Sequence, residues 1–293
     1  IVEYTPDELL FFSFNKGLFI FHKQTGQIRP FVLIDKEMND QTCINGFSVN
    51  IQRITKNKIL FSAQHIFIYD IVTRKFDIVA TMGKEYERQS PLIIATVGTK
   101  TYLSDLKNIC EYDSSEGTFK TIYQGQHIIN DASMDKDGVF WLASTEGLLR
   151  YDPRTGKSEL IQTSLFQDVA SVVADNQYRI WIGTRRHLFV YSSHTHNFAT
   201  LDEVDGVLPN EYIFHATLLA KNGDVFVGGT TGMTVVNSAV HFDTDSDYTV
   251  ELLDVLLNGL PVSLSEEQQH ATARTIQIPW NFSSLQLKVL LNE

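Results

Sequence analysis

Two adjacent arginines, Arg185 and Arg186, fall in a short turn whose counterparts elsewhere in the chain carry mostly Gly, Thr or Gln. A guanidinium is a planar fork of donors that meets a carboxylate or sulfate with two bonds, so the pair points to an acidic saccharide as ligand. The structural alternative is a solubilising turn paired with nearby acids. In a long polar stretch, Tyr86 and Arg88 offer a ring and a cation that suit stacking on a sugar ring, with a plain surface loop as the alternative. These four residues are the candidate ligand-binding set.

Other chemistries find less support. Asp243, Asp245 and Asp247 open like a calcium loop and Asp254 stands at its twelfth position, but Tyr248 occupies the sixth, where the turn demands Gly. An acidic linker is the better reading. His194 and His196 lie on one strand face but have no third ligand near in sequence. Gly228 to Gly232 sits in a strand-to-strand turn rather than before a helix, which argues against a phosphate cradle. HExxH, CxxC, GxSxG and GxxxxGK[ST] are all missing, so neither a metal nor a cofactor is expected and no catalytic residue is assigned. With 35 acidic residues, no particular carboxylate pair can be singled out for glycoside hydrolysis.

A repeated unit must position these residues. Segments starting at Phe11, Ile59, Tyr102, Trp141, Trp181 and Phe226 each run from an apolar residue through a turn to an anchor at Phe21, Tyr69, Tyr112, Tyr151, Tyr191 or Val236. Their starts are 48, 43, 39, 40 and 45 residues apart, the spacing of propeller blades. The turn positions hold Gly17, His65, Asn108, Gly147, His187 and Gly232, residue types that accept positive φ. An apolar run rich in Ala, Ser and Thr precedes each unit, as suits innermost strands crowded around an axis. Turns such as Asp152-Pro153-Arg154-Thr155-Gly156 lead to an outer strand. The expectation is an all-β chain: six four-stranded blades over residues 1–242, starting near 1, 46, 91, 128, 168 and 213, in a ring of six or seven. The turn between second and third strands and the connection to the next blade then share one face, where loop-borne function concentrates.

Composition sets limits. A net charge of −11 argues against nucleic-acid binding, which needs clustered Lys and Arg. Two cysteines, Cys43 and Cys110, fall in different blades and leave the redox compartment open. No apolar run reaches the 18 or so residues of a membrane helix. An acidic linker is expected over 243–249. From Val250 a strand, the Asn258-Gly259 hairpin turn, a return strand over 260–264 and strands over 275–279 and 284–291 read as the opening of a second all-β domain over 250–293. Both ends of the chain read as cut from something longer.

The unit WLASTEGLLRYDPRTG from Trp141 resembles the repeats of the two-component-regulator propellers in periplasmic sensor regions of Bacteroides-type hybrid histidine kinases. Gly206 to Tyr212 with Asn222 to Gly232 looks like that family's terminal blade, and Val250 to Leu291 resembles the immunoglobulin-like triple-tyrosine domain that follows it. Blades one to three depart from the pattern, with Phe11, Ile59 and Tyr102 in place of Trp. The resemblance implies an extracytoplasmic sensor region that binds a glycan breakdown product and signals through the immunoglobulin-like domain. It further implies a membrane-tethered, homodimeric parent receptor on the periplasmic side of the inner membrane. Kinase activity would belong to that parent, not to these residues. A propeller lyase or hydrolase and a protein-interaction scaffold are the alternatives.

Overall fold

The computed structural model describes residues 1–13, 16–31, 50–63, 65–81, 91–161, 168–207, 210–240, 249–261 and 281–292. The chain divides into two compact units, Ile1–Phe242 and Asp243–Glu293.

The first unit is a β-propeller of successive antiparallel meanders. The first sheet contains β1 (Val2–Thr5), β2 (Glu8–Ser13), β3 (Gly17–His22) and β4 (Ile28–Pro30), and the second β5 (Asn50–Arg53), β6 (Lys58–Ser62), β7 (His65–Asp70) and β8 (Phe76–Thr81). The third holds β9 (Leu92–Val97), β10 (Lys100–Asp105), β11 (Asn108–Asp113) and β12 (Thr118–Gln124). The fourth holds β13 (Ile129–Met134), β14 (Phe140–Ser144), β15 (Gly147–Asp152) and β16 (Lys157–Ile161), and the fifth β17 (Ser171–Ala174), β18 (Arg179–Gly183), β19 (Leu188–Ser192) and β20 (Phe198–Leu201). The first strands β5, β9, β13, β17 and β21 (Tyr212–Leu219) lie side by side in order and line the axis.

Strands sandwiched between neighbouring sheets need apolar residues on both faces, and β14 and β18 are buried at every position. Trp141 and Trp181 are 1% and 0% exposed. Burying such a ring contributes on the order of 5 kcal/mol at roughly 200 Å² each. Their indole N–H groups donate to buried carboxylates: Trp141 Nε1 to Asp135 Oδ2 at 2.9 Å and Trp181 Nε1 to Asp175 Oδ2 at 3.0 Å. The same carboxylates cap the turns they start, accepting from Val139 N and Arg179 N. An Asp six residues before the Trp therefore recurs in the fourth and fifth sheets.

Two sequence expectations change. Among the six turn residues read as accepting positive φ, only Gly17, Gly147 and Gly232 adopt it, at 88°, 133° and 148°. The turn before His187 is held by the Thr184 hydroxyl, which accepts from the N–H groups of Arg186 and His187. Near Asn108 it is Leu106 that takes positive φ, at 39°. Secondly, the sixth sheet has three described strands rather than four: β21, β22 (Val225–Gly229) and β23 (Gly232–Val236). After β23 the chain turns back on the fifth sheet, where the carbonyls of Ser238 and Val240 accept from Gln177 Nε2 and Arg179 Nη1. Phe214, Leu218, Met233 and Val235 of this sheet are exposed, whereas the corresponding faces of the fourth and fifth sheets are covered.

In the second unit, β24 (Thr249–Leu257) is central, between β25 (Leu260–Pro261) and β26 (Leu285–Asn292). The Asn258-Gly259 turn has φ of 52° and 79°, as a two-residue hairpin with the right-handed strand twist requires. Asn258 Oδ1 also accepts from Ser283 N and Ser284 N, which brings β26 alongside.

Candidate functional site

Among the described residues, the turn between second and third strands lies beside the end of the connection to the next sheet, with Ile129 N donating to Leu106 O in the third sheet and Val169 N to Ser144 O in the fourth. In the fifth sheet this is fixed by Tyr212 N donating to Thr184 O at 3.1 Å, which ties the 202–211 connection to the 184–187 turn. Between them lies a cavity of about 380 Å³. Its floor is Leu188, Leu201, Val207 and Tyr212, all buried, and Arg186, Asp202 and Glu203 stand around it. The cavity exists because Asp202 stops β20 and starts a single turn of 3-10 helix over Glu203–Asp205. Asp202 Oδ1 accepts from Val204 N at 2.8 Å and Asp205 Oδ2 from Asp202 N at 3.0 Å, a reciprocal capping box. Gly206, with φ of 80°, ends the turn and sends the chain back over the floor.

The two arginines part company. Arg186 lines the cavity, whereas Arg185 Nε pairs with Asp168 Oδ2 at 3.0 Å in an exposed bridge. Exposed pairs of this kind contribute about 0–1 kcal/mol, so Arg185 can exchange its partner at little cost. Burial pushes the Tyr212 phenol above its ordinary range, and its hydroxyl lies 3.0 Å from Thr234 Oγ1. The side chain therefore stays neutral as part of the floor. An apolar floor ringed by one guanidinium and two carboxylates suits a ligand with an apolar face and a polar edge.

Tyr86 and Arg88 lie outside the described residues, as do Asp243, Asp245 and Asp247. His194 packs against Tyr178 with tilted rings whose centroids are 3.9 Å apart, and His196 Nδ1 lies 2.6 Å from the Tyr191 hydroxyl. Both histidines serve the turn that joins β19 and β20. Among the described residues no group of three or more His, Cys, Asp or Glu is placed to hold a metal ion. The Gly228–Gly232 stretch is a packing feature: Asn210 lies against Gly229, accepts from Thr231 N at 3.1 Å and donates to Gly232 O at 3.2 Å. Sequence reading missed the floor residues Leu201 and Tyr212 and the role of Asp202. The acid pair Asp202 and Asp205 followed by Gly206 was the available signal for the turn that shapes the cavity.

Comparison with solved structures adds the fold relationship. The extracellular domain of a B. thetaiotaomicron protein described as a hybrid two-component system superposes with a TM-score of 0.62 at 15% identity, over 88% of this chain and 37% of its own. That of a second B. thetaiotaomicron protein, described as a one-component system, gives 0.60 at 17% identity over 87% and 33%. The chain shares their propeller fold. It spans about a third of the length of those extracellular domains. A streptogramin B lyase has the same fold at a TM-score of 0.55 and 13% identity, over 81% of this chain and 82% of its own. No protein-family model and no curated relative matches the sequence. No helix among the described residues is long and apolar enough to cross a membrane.

Proposed function

We propose that this chain is the ligand-sensing part of an extracytoplasmic receptor, held at the periplasmic side of the inner membrane by a homodimeric hybrid histidine kinase parent. The reading is supported by a fold shared with two bacterial sensor domains over nearly nine-tenths of the chain. The observation that carries it is the loop-face cavity of about 380 Å³ at Arg186, built from the parts that do not repeat. A glycan fragment suits its chemistry. The C–H face of a pyranose packs on Leu188, Leu201, Val207 and Tyr212, while Arg186 takes a ring carboxylate or hydroxyls. Ligand binding would favour one of two receptor states in proportion to its differential affinity, with the C-terminal immunoglobulin-like unit passing the bias on.

A thermal-shift and calorimetric screen against neutral and uronic-acid oligosaccharides tests this. A stabilising ligand that is recovered unconsumed, and whose affinity falls at least tenfold in Arg186→Ala, is the expected result. Silence across the panel overturns it. The match to streptogramin B lyase over most of that enzyme's length favours a second reading, a propeller lyase or hydrolase. Turnover of any member of the panel would establish that reading instead.

A further inference from the structure

A second cavity, of about 310 Å³, lies on the propeller axis among the first strands of the third to sixth sheets. Apolar side chains such as Ile94, Val172 and Leu219 share its lining with Asp131, Ser133, His215 and Thr217, and polar atoms make up the larger part of its exposed wall. Asp131 is 3% exposed and its carboxylate gathers three sheets. Oδ1 accepts from Ala132 N at 3.0 Å and lies 3.1 Å from His215 Nδ1, and Oδ2 accepts from Val172 N at 3.0 Å and shares the Thr217 hydroxyl, at 3.4 Å, with Val172 O at 3.3 Å. His215 reaches this carboxylate from two sheets away because β21 bulges. Tyr212 faces Gly229 and Thr217 faces Val227, so the strand carries extra residues between them. His215 itself sits at φ 59°, a left-handed conformation that costs a non-glycine residue on the order of 1–3 kcal/mol. Bulges re-aim side chains, and such strain persists where the surroundings over-determine it.

The consequence is a fixed tautomer. With Asp131 holding Nδ1–H, a neutral His215 presents Nε2 as an acceptor, and Nε2 makes no hydrogen bond among the described residues. Ser133 Oγ accepts from Ala174 N at 3.0 Å, which leaves its own O–H to donate. One acceptor and one donor on the same cavity, beside the side chains of Val172, Val173 and Leu219, match a single hydroxyl group, which both gives and receives a hydrogen bond.

We propose that the axial cavity is a second binding site, distinct from the loop-face cavity, for a small uncharged molecule that carries a hydroxyl on an apolar body. Its hydroxyl donates to His215 Nε2 and accepts from Ser133, while Val172, Val173 and Leu219 pack its body.

Phenol and anisole are the probes, since they share a ring and differ in whether the oxygen carries a proton. In the full chain with labelled histidines, His215→Gln identifies the His215 ring signals by NMR. Phenol is expected to shift those signals saturably, to bind at least tenfold more tightly than anisole, and to lose about tenfold in Ser133→Ala. Arg186→Ala should leave phenol binding unchanged. Equal binding of the two probes, or shifts confined to other histidines, would overturn the proposal. The comparison of phenol with anisole uses the unmodified chain, and sequential backbone assignment of the labelled chain identifies the His215 signals should His215→Gln fail to fold.

Discussion

Asp135 and Asp175 occupy the same place in consecutive blades, which makes them an internal control for the value of one buried ion pair. Among the described residues Asp135 accepts from neutral donors: Asp137 N at 3.0 Å, Val139 N at 3.0 Å and Trp141 Nε1 at 2.9 Å. Asp175 accepts the equivalent set from Gln177 N at 2.7 Å, Arg179 N at 3.1 Å and Trp181 Nε1 at 3.0 Å, and also Arg179 Nε at 2.6 Å. That guanidinium side chain is only 10% exposed and the carboxylate 1%. Asp135→Ala strands neutral donors, one of them the fully enclosed indole N–H, and is expected to cost about 1–3 kcal/mol. Asp175→Ala also takes the carboxylate away from a buried guanidinium that keeps its bond to Val240 O, and is expected to cost more, up to about 3–5 kcal/mol. Urea unfolding followed by circular dichroism reads both. The double variant Asp175→Ala with Arg179→Leu removes both charges of the pair, together with the Arg179 bond to Val240 O, and should be more stable than Asp175→Ala alone. Equal costs for the two single variants, within about 0.5 kcal/mol, or no recovery in the double variant, would refute the assignment of the difference to the ion pair.

Burial, followed by the nearby Asp105 carboxylate, pushes the Cys110 thiol from 9.0 up to about 12. In a Cys43→Ser background, labelling of Cys110 by a disulfide reagent at pH 8 should run on the order of a thousandfold slower in the folded chain than in urea. The sign for stability follows: the folded state holds the thiol proton more tightly, so the contribution is complete below about pH 9 and is lost as pH rises towards 12. Cys110→Ala should flatten that part of the alkaline limb in urea titrations. Gly183→Ala would set a Cβ against Ser171 Oγ and 2.8 Å from Tyr212 Cβ, and a loss of about 1–3 kcal/mol in the same urea assay is expected. An unchanged midpoint would show that the fifth and sixth sheets give way freely at this contact.

The propeller was legible because each blade solves one packing problem with one pattern, and six copies average out local noise. The hairpin at Asn258-Gly259 was legible for a similar reason: two residues at positive φ have few sequence solutions. The turn residues show where such reasoning fails. His65, Asn108 and His187 tolerate positive φ, yet tolerance is not demand, and the Thr184 hydroxyl supplies in the fifth sheet what a left-handed residue supplies elsewhere. Sites are harder still, because they join residues whose separation carries no period. Asp131 and His215 are 84 positions apart and meet only because β21 bulges at a point that no alternation pattern marks. Arg185 and Arg186 are adjacent in sequence, yet one pairs with Asp168 and the other lines a cavity. A repeat fixes the scaffold through positions that every blade shares, so those positions cannot distinguish one ligand from another. On the proposed function, recognition falls to the capping turn at Asp202 and the bulge at His215, two of the places among the described residues where the blade pattern is broken.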